Sequence, residues 1–404
     1  MVLIVIVILI ILNGQREFIV RKTGLDKMFF SLLILFVISG ALNQVPIITL
    51  LYSFHDYFLP FIFYYLLLYC TKINEQTIKK ILTLLYRIFF IQLILQLLQI
   101  SVAIKDGTFN DDSAMGTFSG ANNLSYTFFF LLFHATYYVY LYKDKMYTKR
   151  LVVFLTGMLA SFGLFAILAY PFFFLTYNFK KIVKFSFLKR AIGLLIVLAL
   201  IFSAFNKLNP QRQESSSFSN PLWMVDPSFY INYFLESEFS IYGGSNRMLW
   251  FPVTYDRLNS FAFDPLIGMG PGVYTSFAGF RTMSAPTESV YNIFNQIEYG
   301  YDPYVDSQLI PIWGEFGYIG LFLFLLLFVK LSISNYRYYK ESEFPLTKTL
   351  SITASASSIY MLLGMYTNHV LETQTIMVTY ILIVAMAEIM YKNEKNNNAF
   401  KKLN

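Results

Sequence analysis

Long apolar runs are the feature that most constrains what this chain can fold into. They lie near residues 1–12, 27–45, 57–70, 78–104, 121–142, 150–179, 189–206, 308–330, 346–367 and 372–391. A run of about 20 apolar residues is what an α-helix needs to cross the hydrocarbon core of a bilayer. Only 14% of the 404 residues are charged, against about 25% in a typical soluble domain. We therefore predict an all-α, polytopic transmembrane helix bundle of about 10–12 spans.

The charges between the runs predict how the spans are oriented. Lysine and arginine collect in several short connections, whereas other connections are acidic or neutral, namely those at Asp56, Asp106, Asp111 and Asp112 and the long loop 207–307. By the positive-inside rule, the basic connections are cytoplasmic and the acidic ones external. We expect a multi-pass inner (plasma) membrane protein with a periplasmic loop 207–307 and a cytoplasmic C-terminus. Because the net charge of +7 is spread over many short loops, it does not indicate a nucleic-acid partner.

Two of the runs differ from simple spans. The first residues, MVLIVIVILIILNG, lack a basic segment and a small-residue cleavage site, so we predict a span rather than a signal peptide. The run 150–179 lies between two basic connections, so it must enter the membrane and return. About 30 helical residues extend roughly 45 Å, too short for two crossings of a ~30 Å core. We predict two short or re-entrant helices with their apex at Ala160-Ser161-Phe162-Gly163.

Composition divides the chain into three parts. Residues 1–206 hold spans and the short helix pair, residues 207–307 form the large loop, and residues 308–404 hold the last spans and the tail. The polar segment from Gly243 to Gly320 departs most from the apolar pattern. It contains SNRMLW, DPLIGMGPG and VDSQLIPIWGEFGYIG in that order. Any chemistry that the protein performs is expected in this segment.

Spacing within the polar segment predicts local structure. Arg247 and Trp250 are three residues apart, so on a helix they share one face, and Pro252 is expected to limit that helix. The stretch DPLIGMGPG suits a tight turn and a close backbone approach. It is not a nucleotide-binding fingerprint, because no strand–turn–helix unit surrounds it. Its three glycines are Gly268, Gly270 and Gly272.

The order and spacing of these motifs resemble the O-antigen ligase/polymerase superfamily. The resemblance is carried by SNRxxW, DPLxGxGPG, VDSQLxxxxxEFGYIG, the GTFSGANNLS stretch before the 121–142 run and the SFG apex, over roughly residues 105–391. It implies a GT-C-like helix bundle with one large periplasmic loop and no metal or other cofactor. The partners that it implies are a polyprenyl-pyrophosphate-linked oligosaccharide, membrane lipid and a chain-length regulator protein.

Within that superfamily, two positions favour a Wzy-type O-antigen or capsular repeat-unit polymerase over a ligase. Ligases typically carry a histidine at the position of Asp306 and an arginine at the position of Phe162. The resemblance thus implies a metal-independent membrane glycosyltransferase that moves a growing glycan from polyprenyl pyrophosphate onto the next lipid-linked repeat unit at the periplasmic face. An O-antigen ligase, which transfers the polymer to lipid A core, is the alternative within the superfamily.

The implied reaction suggests roles for residues of the polar segment. The leaving pyrophosphate gains negative charge, and without a metal a guanidinium group stabilises it best. Arg247 is the first candidate, followed by Arg281 and then Arg257. Asp306 is either the base for the attacking sugar hydroxyl or the N-cap of the next helix. Glu315, a few residues into the next span, is a second carboxylate and is expected to have a partner there.

Aromatic residues complete the predicted substrate-binding set. Tryptophan can stack on sugar rings, although anchoring at the membrane interface explains its position equally well. The predicted catalytic residues are Arg247, Asp306 and Arg281; the predicted substrate-binding residues are Arg257, Trp250, Gly268, Gly270, Gly272, Glu315 and Trp313; no metal ligand is predicted.

A polysaccharide flippase or other transporter is the alternative from a different functional class. Such a protein is expected to carry ionisable residues along a path through the middle of the membrane. The sequence offers only isolated ionisable residues within the apolar runs, namely Arg87, His134 and Glu388, which do not make such a path.

Overall fold

The computed structural model describes residues 23, 25–69, 73–109, 113–118, 120–161, 163–178, 250–259, 264–282 and 307–403. These ranges consist of helices and the turns that join them, without a strand. The predicted spans 1–12 and 189–206 and most of the loop 207–307 lie outside them. The helices are α1 (Asp26–Leu42), α2 (Ile47–Tyr69), α3 (Glu75–Lys105), α4 (Ala121–Tyr142), α5 (Lys145–Ala160), α6 (Leu164–Tyr177), α7 (Trp250–Leu258), α8 (Asp264–Ile267), α9 (Phe277–Thr282), α10 (Leu309–Glu341), α11 (Pro345–Thr367) and α12 (Gln374–Leu403).

Five of the described helices are long and apolar enough to cross a membrane: α2, α3, α4, α10 and α12. The chain is therefore a helical membrane protein, and the all-α prediction is confirmed for the residues described. Helix α11 has 23 residues but carries many serines and threonines, all of which are buried except Thr367 at its end. Its polar side chains are compatible with a membrane interior because they face protein rather than lipid.

The apolar runs predict most helix bounds closely, but three helices are longer than expected. Helix α2 begins at Ile47 rather than near residue 57, α10 continues to Glu341 rather than ending near residue 330, and α12 continues to Leu403 rather than ending near residue 391. The placement of Asp56 in an external connection is wrong, because it lies inside α2. A carboxylate is tolerated there since it pairs with Arg281 and contacts His55.

The run 150–179 forms two short helices, as the sequence predicts. Helix α5 ends at Ala160 and α6 begins at Leu164, with Gly163 at its N-cap. The Ser161 hydroxyl donates to the carbonyl of Gly157, which helps to terminate α5. Gly163 packs so closely on Ser125 of α4 that a Cβ there would overlap its side chain. Phe162 lies outside the described residues.

Aromatic packing forms the centre of the bundle. Helices α4, α11 and α12 are its most buried parts, with α10 and α2 packed around them. The ring of Tyr360 on α11 stacks between Phe129 of α4, at 3.8 Å, and Phe165 of α6, at 5.0 Å. Burial of large rings in offset-stacked pairs contributes strongly to core stability. These contacts hold the helices whose ends carry the site described next.

Candidate functional site

Polar side chains and irregular backbone gather at one end of the bundle. Helices α1 and α11 end there, and α2, α10 and α12 begin there. The segment 264–282 covers these helix ends through hydrogen bonds to Asn43, Gly314 and Glu372. This segment contains the glycine-rich turn and α9.

The glycine-rich turn lies backbone against backbone on the start of α10. Gly317, with φ +63° and ψ −165°, interrupts α10. A break of this kind leaves carbonyl groups of the preceding turn without helical donors. The N–H groups of Met269 and Gly270 donate to the carbonyls of Gly314 and Glu315, at 2.8 and 3.2 Å. The turn therefore completes the hydrogen bonding of the interrupted helix.

Two glycines make this approach possible. Gly268 has φ +77°, and a Cβ there would overlap the backbone of Glu315. Gly317 faces it, and a Cβ there would overlap the backbone of Leu266. In both cases the obstacle is main chain, which cannot move aside as a flexible side chain can. The tight turn and close approach predicted from DPLIGMGPG are both found.

Glu315 is fully buried beneath this turn. Its Oε1 accepts the N–H of Tyr274 at 3.2 Å, so the expectation of a partner is confirmed. Its Oε2 makes no hydrogen bond to a described residue. Tyr274 is itself held by Thr254 of α7, with 2.9 Å between the two hydroxyl oxygens. Burial raises the pKa of the Tyr274 phenol to about 12, so it stays protonated.

Helix α7 brings Arg257 towards the turn. The sequence suggested that Pro252 would limit this helix, but the helix continues past Pro252 to Leu258. Burial raises the pKa of the Asp264 carboxyl, and the positive charge of Arg257 partly offsets that rise. The two side chains are therefore close enough to interact electrostatically. The Nε of Arg257 is buried without a hydrogen-bond acceptor among the described residues.

Trp313 packs inside the site rather than lining an open surface. Its ring is 7% exposed and contacts Phe251 of α7 and Tyr318 of α10, with centroids 6.1 and 5.5 Å apart. Its indole nitrogen has no acceptor among the described residues. The side chain therefore joins α7 to α10 in this structure.

A second carboxylate, Glu372, organises the centre of the site. It lies in the connection between α11 and α12 and is 3% exposed. Its Oε1 accepts the Tyr57 hydroxyl at 3.0 Å and the Gln308 amide at 2.8 Å. Its Oε2 accepts the N–H of Phe277, the first residue of α9, at 2.6 Å. Burial alone would raise the pKa of this carboxyl, but nearby His369 and the hydrogen bonds from Phe277 and Gln308 bring it below its usual value.

Arg281 lies at the other end of α9 and pairs with a buried carboxylate. Its Nη1 is 3.0 Å from Asp56 Oδ2 on α2. The Asp56 side chain is 1% exposed, whereas that of Arg281 is 45% exposed. The Nδ1 of His55, whose side chain is 51% exposed, lies 2.8 Å from Asp56 Oδ1. The short helix α9 is thus fixed at both ends by carboxylates of the bundle, and it presents a guanidinium group at the surface.

The predicted site residues fall into two neighbouring groups. Gly268, Gly270 and Glu315 meet where the turn packs on α10, and Arg281 belongs to the carboxylate cluster beside them. Arg247, Asp306 and the side chain of Trp250 lie outside the described residues. The N-cap of α10 is Gln308, so Asp306 does not hold that position. Gly272 packs against Thr49 and Ser53 of α2.

Six residues around Arg281 and Glu372 were not among the predicted site residues: His55, Asp56, Tyr57, Gln308, His369 and Glu372. A polar stretch, NHVLETQ, between two apolar runs was the signal available for His369 and Glu372. The apolar runs place Asp56 in a connection, and the sequence marks Gln308 only through its position in the VDSQL motif. Within the described ranges, no group of three or more His, Cys, Asp and Glu side chains is arranged to hold a metal ion.

Comparison with known proteins gives no family for this chain. No protein-family model matches it, and no curated protein matches it. The functional argument therefore depends on the site itself. That site offers a half-exposed guanidinium group, an imidazole beside a carboxylate, and a rigid backbone turn at one end of a membrane bundle.

Proposed function

We propose that this protein is a repeat-unit polymerase for O-antigen or capsular polysaccharide, acting at the periplasmic face of the inner membrane. In this proposal it transfers a growing glycan from polyprenyl pyrophosphate onto the next lipid-linked repeat unit. One observation carries the proposal: α9 holds the Arg281 guanidinium half-exposed at the end of a membrane helix bundle, fixed by buried Asp56. The motif order described above gives the substrate class.

The guanidinium group suits a leaving pyrophosphate. Asp56 accepts hydrogen bonds from only one nitrogen of Arg281, so other N–H groups remain to bind phosphate oxygens. A donor held in place before the reaction stabilises developing charge without further reorganisation. Arg247 and Arg257, from the same polar segment, are proposed as further phosphate ligands. A GT-C-like arrangement with the large loop outside belongs to the same proposal.

The acceptor hydroxyl needs a base, and two candidates exist. Asp306 is the candidate from the sequence. His55 is a second, because its Nδ1 contacts Asp56 and its half-exposed ring can receive a proton on Nε2. Glu372 is a poor base, since three donors already occupy its oxygens. We assign Glu372 the role of holding α9 in place.

A reconstituted assay tests this proposal. Purified protein in vesicles is incubated with polyprenyl-pyrophosphate-linked repeat units, and glycan length and free polyprenyl pyrophosphate are measured. We expect both to rise, and Arg281→Gln and Arg247→Ala to lower the rate by about 10²–10³-fold. Arg337→Gln is the control, because Arg337 is exposed and its ion pair among the described residues is the surface pair with Glu341. Absence of longer glycans, or full activity in both site variants, would argue against polymerisation.

A flippase is the second candidate, and one observation favours it. The bundle buries more carboxylates than the sequence suggested, since Asp56, Glu315, Glu372 and Glu388 are all 5% exposed or less. Buried ionisable groups are common in transporters.

Cells with Arg247→Ala separate the classes. A polymerase variant should lose polymer while repeat units still reach the outer face, whereas a flippase variant should retain them inside. An O-antigen ligase remains the alternative within the superfamily.

A further inference from the structure

Arg150 is a buried cation that forms no ion pair with a carboxylate of the described residues. It lies on α5 and is 6% exposed. Its Nη2 donates to the Thr83 hydroxyl of α3 at 3.2 Å, and its guanidinium carbon lies over the rings of Tyr147 and Tyr86, at 4.6 and 5.3 Å. Its Nε is buried without an acceptor, and no ion pair joins it to an acidic residue within the described ranges.

This environment leaves one interaction missing. A buried charge is normally compensated by an opposite charge that also accepts its hydrogen bonds. The two tyrosine rings attract the cation through their faces, but a ring face does not satisfy the in-plane Nε–H. An anion with oxygen acceptors would supply both the charge and the hydrogen bonds that Arg150 lacks.

The surface beside Arg150 carries a second cation without an anion. Thr83, Tyr86 and Arg87 share one face of α3, being three and four residues apart. Arg87 is exposed, and none of the described acidic residues pairs with it. The acidic groups nearby are already engaged. Glu75 pairs with Lys79 at 2.6 Å, and Asp144 accepts N–H groups at the start of α5.

The depth of this pair of arginines matches a lipid headgroup. Helix α3 begins at Glu75 and α5 at Lys145. At 1.5 Å per residue, Arg150 lies about 8 Å along α5, and Thr83 and Arg87 lie about 12 and 18 Å along α3. Because helical side chains tilt towards the helix N-terminus, the exposed Arg87 side chain reaches back towards the level of Thr83. Beyond Arg87, α3 exposes an apolar surface that suits acyl chains, formed by Phe90, Ile91, Ile94, Leu97 and Leu98. This apolar surface favours a phospholipid over a soluble phosphate, because a soluble phosphate has no acyl chains to pack against it.

We propose that the α3–α5 seam binds the phosphate group of an anionic phospholipid, held by Arg150 and Arg87. Thr83 and the two tyrosine rings orient the Arg150 fork, and the exposed face of α3 receives the acyl chains. This site lies at the opposite end of the bundle from α9, because α3 and α5 begin where α2 and α4 end. It does not depend on the proposed polymerase function.

Lipid-dependent thermal stability of the purified full-length protein in detergent tests this proposal. We compare added phosphatidylglycerol, phosphatidylcholine and inorganic phosphate. A ligand that binds the folded state raises the unfolding midpoint with its concentration. We expect phosphatidylglycerol alone to do so. Arg150→Met and Arg87→Met should each weaken the apparent affinity by about tenfold or more, the loss of one charge-assisted contact. Arg337→Met, on an exposed surface arginine, should respond as the wild type does.

Several outcomes would overturn the proposal. An equal rise of the unfolding midpoint with phosphatidylcholine would mean that the negative charge of the headgroup does not contribute to binding. An equal response to inorganic phosphate would mean a phosphate site without lipid specificity. Wild-type affinity in the Arg87→Met variant would show that Arg87 does not contribute to lipid binding. Because Arg87 is exposed, this variant remains informative even if Arg150→Met does not fold. Arg150→Lys keeps the charge without the planar fork and should bind with intermediate affinity.

Discussion

Gly268 tests how the glycine-rich turn packs on α10. An alanine there must adopt a positive φ, and its Cβ would overlap the main chain of Glu315. We expect Gly268→Ala to lower the free energy of unfolding by roughly 3 kcal/mol or more. Gly107→Ala is a matched control, because Gly107 has φ +67° but nothing within 4 Å of its Cβ position. The control should cost about 1 kcal/mol, the backbone part alone. Equal losses, measured as thermal midpoints, would contradict the close approach.

Glu372 gives a prediction about pH. Its carboxyl pKa is below the usual value in the folded protein, so its contribution to stability is complete above the unfolded-state pKa of about 4.3 and is lost as pH falls through the folded-state pKa. We compare the unfolding midpoints of wild type and Glu372→Gln from pH 7 to pH 3. The variant should be the less stable at pH 7, and the difference should shrink below about pH 4. A difference that stays constant with pH would show that Glu372 is not ionised in the fold.

For single residues, the sequence predicts a local role better than it predicts which distant residue each one contacts. The glycines of DPLIGMGPG could be assigned to a close approach because few other residues tolerate that backbone. The partner of Arg281 could not be predicted, since Asp56 is 225 residues away and precedes the predicted start of its helix, although it lies inside α2. Glu372 was overlooked for the same reason: its donors come from α2, α9 and the residue before α10.

Helix α9 is the element that joins the polar segment to the bundle, and its ion pair can be measured. A double-mutant cycle with Arg281→Gln and Asp56→Asn isolates the coupling between α9 and α2. We expect about 1 kcal/mol, because the half-exposed guanidinium is partly screened by solvent. The Lys79–Glu75 pair on the surface of α3 is the control, with about 0.3–0.5 kcal/mol expected. Coupling no larger than that of the control would mean that the pair does not fix α9.

The helices themselves illustrate what periodicity and hydropathy can predict. Long, mostly apolar segments such as 121–142 have bounds that the hydropathy pattern predicts well. Helix α2 starts ten residues before its predicted start, and its early polar residues Thr49, Ser53 and Asp56 are buried against Gly272 and Arg281. That cover comes from a distant part of the chain, which the local sequence does not reveal. The interruption of α10 at Gly317 is likewise stabilised by contacts from outside the helix, through the N–H groups of Met269 and Gly270.

Orientation belongs to the whole molecule, and the single native cysteine makes it measurable. In a Cys70→Ser background, we introduce one cysteine at residue 230 or at residue 404 and label intact cells with a membrane-impermeant maleimide. The positive-inside rule predicts labelling at residue 230 and protection at residue 404. The reverse pattern would place the candidate site in the cytoplasm and exclude a periplasmic polymerase. Labelling after lysis controls for access.

The surface polysaccharide of cells that lack this protein tests the central claim most directly. The account predicts single repeat units attached to lipid A core, without the ladder of longer chains, and restoration of the ladder by the wild-type gene but not by the Arg281→Gln variant. Polymer of full length on the lipid carrier, with no repeat unit on the core, would contradict polymerisation and indicate a ligase. An unchanged ladder would contradict both activities.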